Sequence, residues 1–134
     1  MAKTKLLFVC VENSCRSQIA EAFARMLGSD EVEAHSAGSS PSGVVNPVAI
    51  EAMAELGYDL AAHRSTAIDD IPAGPYTAVV TMGCGDACPH VAADRREDWA
   101  IPDPAGLPLE EMRHVRDEIR TRVARLMSEA ASSR

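Results

Sequence analysis

Between Lys5 and Gly28 the hydrophobic period of the sequence changes once, and the change specifies a strand, a loop and a helix in succession. Lys5-Leu6-Leu7-Phe8-Val9-Cys10 is a nearly continuous apolar run, the pattern of a strand covered on both faces, as in a parallel sheet. It reads as the central strand. After the loop, Ala20, Phe23, Ala24 and Leu27 recur at i, i+3, i+4 and i+7, with Gly28 as a stop. A helix is therefore expected from about Ser17 to Leu27.

The rest of the chain repeats this alternation. Glu31 to Ala37 has a weak strand pattern and is followed by a loop from Gly38 to Gly43. Asn46-Pro47 is a helix start, with Asn as N-cap and Pro in the first turn; Ile50, Met53 and Leu56 supply the stripe and Gly57 closes it. Thr77 to Met82 is β-branched and apolar and reads as a third strand, and Trp99-Ala100-Ile101 as a short fourth. Met112, Val115, Ile119, Val123 and Leu126 mark a last amphipathic helix. Alternating strands and helices indicate an α/β fold with a parallel sheet, which binds ligands beyond the carboxyl ends of its strands. Cys10, Cys84 and Asp103 all fall at such ends.

With 134 residues, one domain spanning 1–134 is expected. The longest apolar runs fall far short of a membrane span and no signal-peptide core follows Met1, so the cytoplasm is the expected compartment. A formal net charge of -7 argues against nucleic acid as a partner and supplies no long-range pull on an anion. Any bound anion must be held by local donors.

Cys10-Val11-Glu12-Asn13-Ser14-Cys15-Arg16-Ser17 provides them. Five residues between a cysteine and an arginine suffice to curl around one tetrahedral anion with backbone N–H groups inward, while the helix that follows adds its positive dipole end. Arg16 brings a planar fork for two oxygens. The same donors favour a thiolate, making Cys10 a nucleophile near neutral pH. Ser14 and Ser17 are placed to donate to its sulfur, and Asn13 to accept positive φ. Glu12 repels an oxyanion unless its side chain points outward.

Attack on an oxyanion requires a proton for the departing oxygen. Asp103, in the rigid turn Asp103-Pro104-Ala105-Gly106, is the expected donor. Cys84 and Cys88, three residues apart with small or polar residues between, suit thiol–disulfide exchange. Packing of two small side chains is an alternative for this pair, and so is metal ligation with His90. No metal site is predicted, because a C-x2-C type spacing is absent. His35, His63, His90 and His114 are expected at the surface or in capping positions.

Together, Cys10 to Gln18, Ser36-Ala37-Gly38, Val45-Asn46-Pro47, Thr81 to Pro89, Asp103 to Gly106 and Val115 to Ile119 resemble arsenate reductases of the low-molecular-weight protein tyrosine phosphatase type, over nearly the whole chain. The resemblance implies a single three-layer domain with a four-stranded parallel sheet flanked by helices, and reduction of arsenate to arsenite in arsenical detoxification. It implies that Cys10 attacks arsenate, Arg16 binds its oxygens and Asp103 protonates the leaving one. Cys84 would then attack the Cys10 sulfur, and Cys88 would resolve that bond into a disulfide reduced by thioredoxin or another external thiol, with no tightly bound cofactor. Phosphate, nearly isosteric with arsenate, would bind as an analogue. Plain phosphatases of this type usually carry an aromatic residue after Asp-Pro, where Ala105-Gly106 stands here. Two alternatives are a phosphatase acting on a phosphoester and a thiol-based redox or metalloid-binding regulator.

Overall fold

The computed structural model describes residues 4–82, 91–104 and 106–132. The elements are β1 (Thr4–Cys10), α1 (Arg16–Gly28), β2 (Val32–Gly38), α2 (Pro47–Ala54), β3 (Tyr76–Thr81), β4 (Ala93–Asp98) and α3 (Leu109–Ser132). The strands form one parallel sheet in the order β2-β1-β3-β4. β1 is interior, as its unbroken apolar run requires. The chain leaves it for β2 on one side and later returns to β3 on the other, which opens a crevice at its carboxyl end. Cys10 sits at that end, in register with Gly38 of β2.

Alternate β1 side chains feed two cores. Leu6, Phe8 and Cys10 face the larger one, together with Ile19 and Phe23 of α1, Met53 of α2 and Met112, Ile119 and Val123 of α3. Leu7 and Val9 face the smaller one with Tyr76 and Val79, covered by Ile68 and Ile71. α1 is buried from Arg16 to Ala24, because it lies between β1 and α3. Leu27, expected on its buried stripe, is 47% exposed, and it is Gly28 after it that lies against Val32 and Met127. All five apolar positions expected on α3 are buried.

Asn46 caps α2 by accepting from Val48 N at 2.8 Å and Ala49 N at 3.4 Å, with Pro47 in the first turn. Gly57 closes the segment at φ 80°, a conformation without steric cost only for glycine.

The fourth strand is Ala93–Asp98, not Trp99 to Ile101. Its sequence, Ala-Asp-Arg-Arg-Glu-Asp, has no apolar alternation, because it pairs with β3 on one edge only. Charged residues there protect an open edge. Trp99 and Ile101 are buried at 2% and 4% exposure in the irregular segment that follows, with Trp99 against Phe8 at a ring separation of 6.1 Å. Their apolarity serves the core and not a strand. No helix among the described residues is long and apolar enough to cross a membrane.

Candidate active site

The loop between β1 and α1 is held by its carbonyl oxygens. Val11 O accepts from Ser40 N at 2.8 Å, Glu12 O from Ser42 N at 3.0 Å and Ser65 Oγ at 2.9 Å, Asn13 O from Gln18 Nε2 at 3.0 Å, and Ser14 O from Asn46 N at 2.9 Å. All these donors lie in other segments or on the helix behind. In a trans peptide the N–H points opposite to the C=O. Outward carbonyls therefore turn the N–H groups of Glu12, Asn13, Ser14 and Cys15 toward the inside of the loop, where α1 also directs its N-terminus.

Asn13 is the bend, at φ 49°. Its side chain is bonded at both ends: Oδ1 accepts from Thr66 N at 2.7 Å and Gln18 Nε2 at 2.9 Å, and Nδ2 donates to Ser17 Oγ at 2.8 Å. The backbone donor at Thr66 settles which end of the amide is oxygen. Ser17 Oγ, having accepted from Asn13, lies 2.9 Å from Cys10 Sγ and has its own hydrogen to give. Of the two serines expected to reach the sulfur, Ser17 does so; Ser14 is half-buried and makes no such bond.

Gly38 closes the loop from the β2 side. A β-carbon there would lie 2.6 Å from Val11 O and 2.9 Å from Asn13 N, closer than unbonded atoms approach. From sequence, Gly38 marks the end of a strand and the start of a loop, and shares in the family resemblance through Ser36-Ala37-Gly38.

Cys10, Val11, Glu12, Ser14, Cys15, Arg16 and Asp103 line one cavity of about 380 Å³. Arg16 is 7% exposed; its Nη1 donates to Ile101 O at 2.9 Å and its Nη2 lies 3.9 Å from Asp103 Oδ2. One of its five N–H groups is thereby hydrogen-bonded, and a buried guanidinium in a donor-lined cavity calls for an anion. The Asp103 side chain is 54% exposed, at the solvent side of the arginine. Gly106 turns the chain at φ 81° and Leu107 N bonds Pro104 O at 3.0 Å. Glu12 is exposed, at the rim of this cavity.

Cys15 faces away from the chemistry. Its Sγ donates to Met112 Sδ at 3.4 Å in the core, and burial first, then Cys10 and Asp103, push its thiol up to about 12. Cys84 and Cys88 lie in 83–90, outside the described residues.

Behind the loop runs a directed chain of hydrogen bonds. Gln18 Nε2 donates to Asn13 and to Arg64 O, so Gln18 Oε1 is the acceptor facing His63 Nδ1 at 2.9 Å. His63 Nδ1 thus carries the hydrogen, and Nε2 accepts from Tyr58 O–H at 2.6 Å. Burial holds the His63 pKa below its ordinary value, which agrees with a neutral ring. The His63 side chain is 9% exposed; of the surface and capping positions expected from sequence it takes the second, its backbone N–H donating to Leu60 O at the end of the short helix Leu60–Ala62. The ring's partners are 5 and 45 residues away, and no local pattern announces the second. Glu21 ties the same region together, accepting from Ser36 Oγ at 2.6 Å and Arg25 Nε at 2.8 Å.

The model of the low molecular weight phosphotyrosine protein phosphatases matches residues 5–134. The chain belongs to this family. Within the low molecular weight phosphatase family it is 42% identical over 132 residues to an arsenate reductase of Staphylococcus aureus (strain Newman), covering 96% of this chain and 99% of that protein. A solved structure of an arsenate reductase in the phosphate binding state has a TM-score of 0.87 at 39% identity, covering 97% of this chain and 99% of that one. A thioredoxin-dependent arsenate reductase of Corynebacterium glutamicum has a TM-score of 0.81 at 28% identity, covering 99% of this chain and 64% of that one. The sheet and helices described above are the low molecular weight phosphatase fold.

Proposed function

We propose that this chain reduces arsenate to arsenite, with Cys10 as nucleophile. One observation carries the reading: Cys10, the Arg16 guanidinium and the Asp103 carboxyl line one cavity whose loop carbonyls are all tied outward. The arsenate reductases similar to it over nearly the whole chain support arsenate as the substrate and phosphate as its analogue.

The Cys10 thiolate attacks arsenic, and the Asp103 carboxyl gives its proton to the departing oxygen, which leaves as water. Inward N–H groups and Arg16 hold the remaining oxygens. The Cys84 thiolate then attacks Cys10 Sγ. An S–S bond forms, the S–As bond breaks, and its electron pair stays on arsenic, so As(V) becomes As(III) and leaves as arsenite. Cys88 attacks the Cys84 sulfur, releasing Cys10 as thiolate and leaving a Cys84–Cys88 disulfide. An external thiol reductant returns this to the dithiol; thioredoxin is the reductant we propose, on the likeness to the thioredoxin-dependent relative. A compartment that keeps thiols reduced, such as the cytoplasm, suits the cycle.

The test is arsenate-dependent oxidation of NADPH with thioredoxin and its reductase. Cys84→Ser and Cys88→Ser should each abolish it while leaving hydrolysis of an aryl phosphate, which needs only Cys10, Arg16 and Asp103. Absence of NADPH oxidation with thioredoxin, glutathione or mycothiol systems alike would overturn the reductase reading; an equal loss of aryl phosphate hydrolysis would overturn the division of roles.

A further inference from the structure

We propose that the Glu12 side chain is a specificity-determining group that selects oxyanions still carrying a hydroxyl, arsenate and phosphate, over sulfate, which carries none at neutral pH. The proposal rests on the reading of the loop as an oxyanion cradle and deepens it.

Glu12 lines the same cavity of about 380 Å³ as Cys10, Arg16 and Asp103, and is exposed at its rim. Its backbone is fixed. The Glu12 carbonyl is held twice, by Ser42 N and Ser65 Oγ, the Val11 carbonyl before it by Ser40 N, and Asn13 after it is locked at φ 49°. A rigid backbone therefore holds this residue at the mouth of the cradle. Among the described residues no lysine or arginine forms an ion pair with it. Its charge acts on solvent and on whatever enters the cavity.

The cradle consists of donors: inward N–H groups, the Arg16 fork and the Ser17 hydroxyl. Donors of this kind satisfy bare oxyanion oxygens but have no place for an O–H. A hydroxyl-bearing anion therefore needs one acceptor at the site, and an ionised carboxylate is acceptor-only. Asp103, when loaded with the proton it delivers, keeps only a neutral carbonyl oxygen as acceptor. Glu12 is the remaining carboxylate on the cavity wall. Toward a hydroxyl it forms a charge-assisted hydrogen bond; toward sulfate it presents lone pairs to lone pairs and repels. The same side chain that weakens anion binding in general thus spares the protonated anions. This resolves why a carboxylate stands in an anion-binding loop.

Neither phosphate nor sulfate is reduced, so both can be titrated into the full-length protein. Calorimetric titration at neutral pH and matched ionic strength, on wild type, Glu12→Gln and Glu12→Asp, reads the ratio of sulfate to phosphate dissociation constants. The ratio should fall about tenfold in Glu12→Gln, mainly because sulfate tightens, and should largely return in Glu12→Asp, which keeps the carboxylate. Equal tightening of both anions in Glu12→Gln would reduce Glu12 to a general repulsive charge and overturn the proposal, as would an unchanged ratio. Failure of wild type to bind either anion would overturn the cradle reading itself. Binding in wild type that Arg16→Ala does not weaken would do the same.

Discussion

Ser17 Oγ lies 2.9 Å from Cys10 Sγ while accepting a hydrogen bond from Asn13 Nδ2 at 2.8 Å. The Ser17 hydroxyl keeps its own hydrogen, which a thiolate at Cys10 accepts. Behind it, Gln18, His63 and Tyr58 extend the same donor direction to the far side of the loop. Ser17→Ala should slow alkylation of Cys10 by iodoacetamide at neutral pH by about threefold to tenfold, the worth of one hydrogen bond to a charged acceptor in a polar site. Arsenate turnover should fall in parallel. Unchanged alkylation would show that the hydroxyl does not assist the sulfur.

Gly38 is the position most sensitive to a single methyl group. Gly38→Ala places a β-carbon 2.6 Å from Val11 O and 2.9 Å from Asn13 N, both backbone atoms that cannot rotate away. Thermal or denaturant unfolding should show a loss of about 2 kcal/mol or more, with phosphate affinity reduced because the displaced carbonyl no longer meets Ser40 N. Wild-type stability and affinity together would show that β2 yields without cost.

Cys15, with its thiol raised to about 12 by burial, predicts a specific pH dependence. Both folded and unfolded states keep this thiol protonated below the ordinary value of 9.0. Above it the unfolded chain loses the proton and the folded one does not, so stability falls with rising pH between about 9 and 12, by about 1.4 kcal/mol per pH unit at the limit. Denaturant midpoints at pH 8 and pH 10 should therefore diverge less in Cys15→Ala than in wild type. At pH 8 that variant should retain arsenate turnover, since the sulfur contacts Met112 and not the cavity chemistry.

Asp103 is half-exposed and 3.9 Å from Arg16, a separation at which an ion pair adds little to stability. Asp103→Asn should leave the melting temperature nearly unchanged but lower arsenate turnover about a hundredfold, the usual contribution of a positioned acid. A large fall in melting temperature with little change in turnover would reverse that assignment.

β1, α1, α2, α3 and the Cys10 to Arg16 loop were legible from residues alone, because each is encoded by neighbours within one or two turns: an apolar run, a 3.6-residue stripe, an Asn-Pro start. The fourth strand was not. Its hydrogen bonds come from β3 and its charged side chains answer to an open edge, so its own sequence carries no strand period; the apolar Trp99 and Ile101 draw the reading to the segment just past its end.

The sequence by itself determined the alternation of strand and helix, the placing of a cysteine and an arginine at the ends of one short loop, and the capped start of α2. Only the tertiary structure decided how that loop is held. Its carbonyls are fixed by Ser40, Ser42, Asn46 and Ser65, its bend by Thr66 and Gly38, and its underside by Gln18 against His63. These bonds close across tens of residues, and their existence depends on the register of β1 with β2 and on the path of the chain after each strand. No local period carries that information, since hydrogen-bond partners so far apart in sequence are chosen by packing.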